Sequence, residues 1–452
     1  MEYEKLFKTQ PVWKSIFSMA VPTVISIFVM ILYNLADLFF IAQTGDEKMI
    51  AGVSVVTPLF SMAASIATML GSGGSALIAR ALGAKKYEKA LDYASVCICG
   101  SVVIGCILMV SIYFAKTPLL RYLGADDDFT SYASTYLSFC AAGVPFMLLS
   151  PSIGAVIRAE GKIKESMKGS LASSGLNIVL DALLIFVLKL GVAGAAIATV
   201  LSNLFTCGYF ILRVLPKLEL VKLHLKTILR SARANGIEIF SIIALGLPNA
   251  LSGIMSSLAG TLSNRCLSVH GAGAIAAFSA AYKCNDMMCM IVMGICMGVQ
   301  PLLAYNYGAQ NTPRLKEATQ KLGILAVGIG TVGAALCFAL RGKILAVFLR
   351  SAAVYEQGLS MMPYLLAALP VMGIFYLGIN FLQAAGKAKT ATAIVVARQG
   401  LFLMPAIYIL NRQFEMKGIA IAYPFADFVS SVLVALILLA QYQKLNDPKG
   451  RV

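Results

Sequence analysis

Apolar residues along this chain run in long stretches, and polar residues gather in short segments between them. Stretches of twenty or more mostly apolar residues recur from end to end. Each is long enough for a helix to cross a hydrocarbon core ~30 Å thick. The pattern predicts helices over 15–43, 49–77, 91–114, 130–157, 169–188, 191–212, 237–264, 271–303, 319–340, 354–384, 390–410 and 418–442. The fold class expected is therefore an all-α polytopic membrane protein with twelve transmembrane helices. Met1 to Ser15 is charged and leads straight into a full-length span, so the first helix is expected to stay rather than be cleaved as a signal peptide.

Two stretches repeat at a constant spacing. "VPFMLLSPSIGAVIRAEGKIK" (144–164) aligns without a gap to "LPVMGIFYLGINFLQAAGKAK" (369–389), 225 residues later. Pro145, Gly161, Lys162 and Lys164 fall on Pro370, Gly386, Lys387 and Lys389. At the same offset Gly73, Gly83 and Ala84 meet Gly298, Gly308 and Ala309, and "AVP" (20–22) meets "GLP" (246–248) at 226. An ordered series of loop residues signals internal duplication. It predicts two six-helix bundles, 1–212 and 237–452, joined by a basic linker over 213–236. Six is an even number, so both halves begin on one side of the membrane and the repeats are parallel, a known transporter arrangement.

Composition agrees and sets the orientation. Mean hydropathy is +0.82 and only 13% of residues are charged, against about 25% in soluble domains. With the N-terminus inside, 25 of the 37 basic residues fall on inside segments, which places both termini in the cytoplasm by the positive-inside bias. The +16 net charge then reads as topology with some attraction to anionic membrane lipid. Basic residues scattered over separate loops argue against a nucleic-acid partner. Nine of the ten cysteines lie in apolar spans, and Cys97 and Cys99 form CxC rather than CxxC. The two histidines, His224 and His270, fall in loops. No Cys/His metal site, redox centre or cofactor is expected. Without a nucleophile–base constellation or an HExxH motif, neither is an enzyme. A monomer is the default.

The charges inside the spans divide the halves. Asp37 is the only charged residue between Lys14 and Asp46. At 1.5 Å per residue it lies roughly 9 Å from the outer end of its helix, and Asp181 and Thr199 lie roughly 12 Å in. Asn34 precedes Asp37 by three residues and Asn177 precedes Asp181 by four, each pair on one helix face. No Lys or Arg lies within a span of the first half, whereas the second carries Lys283 and Arg398 beside Asp286 and Asp427. The second set can pair internally or touch substrate. The first must be protonated, bind a cation or meet water, because an unpaired carboxylate is costly in hydrocarbon. Helix packing through a neutral acid, with Asn as glue, is the structural alternative. Pro22 would kink the first helix as a static bend or a hinge. Met287, Met288, Met290, Met293 and Met297 make an adaptable apolar stretch.

The segments "YNLADLFFIAQTG", "GGSALIARALGAKKYEKA", "SGLNIVLDALLIF", "GVAGAAIATVLSN", "ARQGLFLMP" and "FAD", in this order and spacing, resemble the multidrug and toxic compound extrusion (MATE) family, in its bacterial MepA-like branch. The resemblance spans 15–442. It implies a V-shaped pair of bundles and a secondary active multidrug efflux antiporter. Such a protein of the inner or plasma membrane exports amphipathic, often cationic, organic compounds in exchange for H⁺ or Na⁺ by alternating access. It also implies that Asp37, Asn177, Asp181 and Thr199 form the proton- or cation-coupling site, a Na⁺ site included, with Pro22 as the hinge. Substrate-lining residues are expected at Asn34, Asp286, Met287, Met290 and Arg398. Members with a sodium site in the second half carry an acid on the seventh helix, and 239–264 has none. A lipid-linked precursor flippase of the same wider superfamily is the alternative function.

Overall fold

A computed structural model describes residues 4–43, 47–123, 129–219, 225–349 and 351–446, with side chains withheld at a few further positions. The described residues are almost entirely helical. The long helices of the first half are α1 (Val12–Gln43), α2 (Glu47–Gly83), α3 (Tyr87–Phe114), α4 (Thr130–Ala159), α5 (Ile163–Ala182) and α6 (Gly191–Tyr209). The second half contributes α7 (Glu238–Ser268), α8 (Ala272–Gly308), α9 (Thr312–Ala339), α10 (Ala352–Leu366), α11 (Leu369–Ala384), α12 (Ala388–Val396) and α13 (Met404–Asn446).

Ten helices are long and apolar enough to cross a membrane, or eleven if the bent pair α10–α11 is one span. Two local departures separate this from the twelve expected. The stretch expected as one helix over 354–384 bends by 46° between α10 and α11, where Pro370 in the first turn of α11 has no N–H to continue the preceding helix. The last two expected helices fall in the 58-residue apolar stretch Ala388–Leu445, which is broken at Glu415, whose φ of 52° is non-helical, so that a helical segment lies on either side of the kink.

The chain divides into two compact units. One holds Met1–Phe7 and Val21–Ala250; the other holds Lys8–Ala20 and Leu251–Val452. The N-terminal stretch of α1 therefore packs with the second half, and the start of α7 packs with the first. Within the second unit, Arg314 donates to the Gln10 carbonyl at 2.6 Å, and the Lys321 ammonium lies 5.8 Å from the Trp13 ring. Within the first, a Cβ on Gly73 would stand 2.0 Å from the Ile242 carbonyl oxygen, and one on Gly246 would stand 1.8 Å from that of Met69. Only glycine lets α2 and α7 cross this closely.

In the first unit α4 packs against α2, α3 and α6; in the second, α8 packs against α9, α10 and α11. Among the ten unbent spans of the described residues these two are the most enclosed, with 72% and 67% of their most apolar window buried. The others leave most of theirs facing outward, as lipid contact requires. The turns carry the duplication in their backbone. Left-handed residues recur at Lys85 and Gln310 (φ 58° and 55°), Gly161 and Gly386 (84° and 78°), and Lys189 and Glu415 (52° each). The spacings are 225 or 226 residues, those of the sequence repeat.

Candidate functional site

The first unit brings its polar residues together through two clamps between α5 and α6. At one end, a Cβ on Gly194 would stand 3.0 Å from the Leu184 backbone, so the helices touch there. At the other, the Ser173 hydroxyl donates to the Ser202 carbonyl at 2.9 Å. Asn177 and Asp181 on α5, and Thr199 on α6, lie in sequence between these clamps. Immediately beyond Asp181 the helix widens into a π-turn over Leu183–Val187, an irregularity that frequently marks functional sites. Phe186 of this turn meets Phe40 of α1 edge-on at 5.8 Å, which brings the C-terminal part of α1 to the turn after α5.

Asp181 is fully buried and Asn177 is 3% exposed. Neither oxygen of Asp181, neither polar atom of Asn177, nor Oδ1 of Asp37 has a hydrogen-bond partner among the described residues. Asp37 and Asp181 are close enough to act on each other electrostatically, and both act on the hydroxyls of Tyr33 and Tyr136. Thr199 is partly exposed, and its carbonyl accepts from the Asn203 amide at 2.9 Å. A buried carboxylate and a half-buried one, with no basic partner among the described residues, are held by protonation or by a cation. Carboxylate, amide and hydroxyl oxygens suit a hard cation such as Na⁺ as well as a proton.

Tyr33 and Tyr136 were absent from the sequence expectation. Tyr33 stands four residues before Asp37, a spacing that puts both on one face and could have revealed it. Tyr136 belongs to α4 and reaches the acids only through tertiary packing, which includes an edge-on contact with Phe60 at 5.9 Å. The side chain of Asn34 and the residue His224 lie outside the described residues.

The family model described as MatE matches residues 22–183 and again residues 248–409. The chain belongs to the MatE family. Each match covers most of one half, and the two begin at the corresponding residues Pro22 and Pro248. Multidrug export protein MepA of Staphylococcus saprophyticus is 29% identical over 446 residues, spanning 99% of this chain and 98% of that protein. MepA of Staphylococcus aureus is 29% identical over 441 residues, spanning 97% and 96%. Among solved structures, a MATE in complex with MaL6 superposes with a TM-score of 0.90 at 24% identity, over 98% of this chain and 99% of that one. A multidrug resistance MATE family transporter of the MOP superfamily, in its outward-facing conformation, gives 0.91 at 24% identity over 99% of each. At that identity the likeness to solved structures is one of fold.

The second MatE repeat handles its polar residues differently. Nε and Nη2 of Arg398 both donate to Oδ1 of Asp427 at 2.7 Å, with the two side chains 11% and 7% exposed. The guanidinium also lies 4.8 Å from the centre of the Phe375 ring, a cation–π contact. Arg398 lies in a π-turn over Ala397–Leu403. Lys283 and Asp286 stand 3.9 Å apart on α8, with much more of both exposed. Met287 and Met290 are partly exposed on the same helix, while the methyl of Met288 fills the space over Gly333. Pro22 lies one residue beyond the point where α1 passes from one unit to the other.

Proposed function

We propose that the chain is a secondary active antiporter that exports amphipathic, often cationic, organic compounds in exchange for H⁺ or Na⁺. The observation that carries this reading is the set of buried polar atoms without partners on Asp37, Asn177 and Asp181. The names of the MepA relatives support multidrug export. Asp37 and Asp181 take up the coupling ion, with Asn177 and Thr199 offering further oxygens. Binding removes the repulsion between the acids and favours repacking of α1 about Pro22, and the drug is then released outward. Coupling requires that ion and drug bind with different affinity to the two states, or to each other's occupied form.

Substrate meets Asp286, Met287 and Met290 on α8, where partial exposure leaves apolar surface and a carboxylate available. Arg398 enters this reading as the partner of Asp427. The basic residues support cytoplasmic termini in the cell's inner or plasma membrane, and a monomer suffices for the cycle. The lipid-linked precursor flippase is not favoured, since the relatives matched over nearly full length are named multidrug exporters.

The test is efflux of a fluorescent organic cation from proteoliposomes, with H⁺ and Na⁺ gradients imposed separately. One gradient should drive the wild type, and Asp37→Asn and Asp181→Asn should each abolish that drive while remaining folded. Wild-type rates and ion dependence in both variants would refute the coupling role.

A further inference from the structure

At the end of α4 the first unit holds a guanidinium that its own carboxylates leave alone. Arg158, the penultimate residue of α4, is partly buried. Its one hydrogen bond among the described residues runs from Nη1 to the Ser166 hydroxyl at 3.0 Å, and no acid there pairs with it. The acids nearest in sequence are engaged elsewhere. Glu165 accepts from Lys168 at 2.7 Å and from the Tyr209 hydroxyl at 3.2 Å. Glu160 accepts from the Glu219 backbone N–H at 2.5 Å. Lys162, in the turn that follows, reaches the Lys217 carbonyl.

One side of the guanidinium is closely packed. A Cβ on Gly154 would stand 3.2 Å from both Arg158 Nη1 and Ser166 Oγ, and 3.7 Å from the Phe210 ring. Phe210 is itself 1% exposed. That side is glycine backbone and an aromatic edge, a low-dielectric wall against which a charge is felt strongly. A guanidinium carries five N–H donors, so four remain for a ligand. Removing a cation from water without a counter-charge is costly, and a fork of N–H donors matches the oxygens of a phosphate.

The repeat supplies an internal control. At an offset of 225, Arg158 corresponds to Gln383 and Ser75 to Gln300. In the second unit those two glutamines satisfy each other, Gln300 donating to Gln383 at 2.7 Å, with both 2% exposed or less. The first unit has a serine and a cation at these two positions, and among the described residues the cation's hydrogen bond goes to Ser166 instead. We propose that Arg158, with Ser166, is an anion site that takes a phosphate group, supplied by a membrane lipid headgroup or by free phosphate.

The test uses the full-length protein in detergent, with inorganic phosphate and phosphatidylglycerol as separate probes and phosphatidylcholine as the control. Retained lipid is counted by native mass spectrometry, and thermal unfolding is followed with each probe. If a lipid headgroup is the source, the wild type should retain phosphatidylglycerol over phosphatidylcholine, and Arg158→Gln should lose at least tenfold of that occupancy. If free phosphate is the source, millimolar phosphate should raise the unfolding temperature of the wild type and not that of Arg158→Gln. Should that variant fail to fold, Arg158→Lys and Ser166→Ala take its place, each expected to weaken whichever probe binds. A wild type indifferent to both probes would overturn the site. So would variants that bind them as the wild type does.

Discussion

The two halves share a backbone plan and differ in how they treat polar groups at the same positions. Pro22 aligns with Pro248 at 226 residues, which sets Ser263 at the position of Asp37. Gly194 and Gly418 each press on the backbone at the end of the preceding helix, at Leu184 and Leu410. That correspondence sets Tyr423 at the position of Thr199. Offsets of 225 and 226 put Phe402 or Leu403, and Ala406 or Ile407, where the first half has Asn177 and Asp181. In the second half the hydroxyls of Ser263 and Tyr423 lie 3.0 Å apart and satisfy each other. Among the described residues the first half keeps Asp181, Asn177 and one oxygen of Asp37 without hydrogen-bond partners; the second fills the same framework with a neutral bonded pair and two apolar residues. The duplicated fold thus constrains backbone geometry, while the buried polar atoms without partners on Asp37, Asn177 and Asp181 belong to one copy.

The largest effect should come from the acids themselves. Asp181→Asn and Asp37→Asn should each remove gradient dependence from efflux, whereas Asp427→Asn should leave it in place in whatever protein folds. Next in size is the buried ion pair of the second half. Arg398→Ala leaves Asp427 buried without its partner and should cost about 3–5 kcal/mol, seen as a drop in thermal unfolding temperature. Replacing both by apolar residues of similar volume should recover most of it. Tyr423→Phe should cost only about 1 kcal/mol, since it removes one hydrogen bond, and transport should retain its ion dependence. Smallest are the paired left-handed turns. Lys189→Gly and Glu415→Gly each relieve an unfavourable φ of 52°, worth roughly 1 kcal/mol against the added freedom of the unfolded chain. The two should shift the unfolding temperature alike, and unequal shifts would show that the turns are not equivalent.

Much of this was legible in the chain itself, for identifiable reasons. Long apolar runs mark helices because hydrocarbon forces every backbone group to bond within its own segment. The repeat was visible because its turns reuse residues at fixed offsets, Gly161 with Gly386 among them. Asp37 and Asp181 stood out because charge is rare in such runs. The break at Ala367 and Ala368 was hidden, since hydropathy does not register a bend. The exchange of helix ends between units was hidden too; it depends on the glycine crossing of α2 and α7, a tertiary fact. Tyr136 and the pairing of Ser263 with Tyr423 required the fold, because helices distant in sequence supply the two sides of each contact.

The most direct test of the difference between halves is ion uptake at equilibrium, without transport. Proton release and Na⁺ binding would be titrated on the purified protein, wild type beside Asp37→Asn, Asp181→Asn and Asp427→Asn. One ion should bind the wild type, be lost in both first-half variants, and persist in Asp427→Asn. Binding that survives the first two substitutions and disappears with the third would place the ion in the second half and contradict the account.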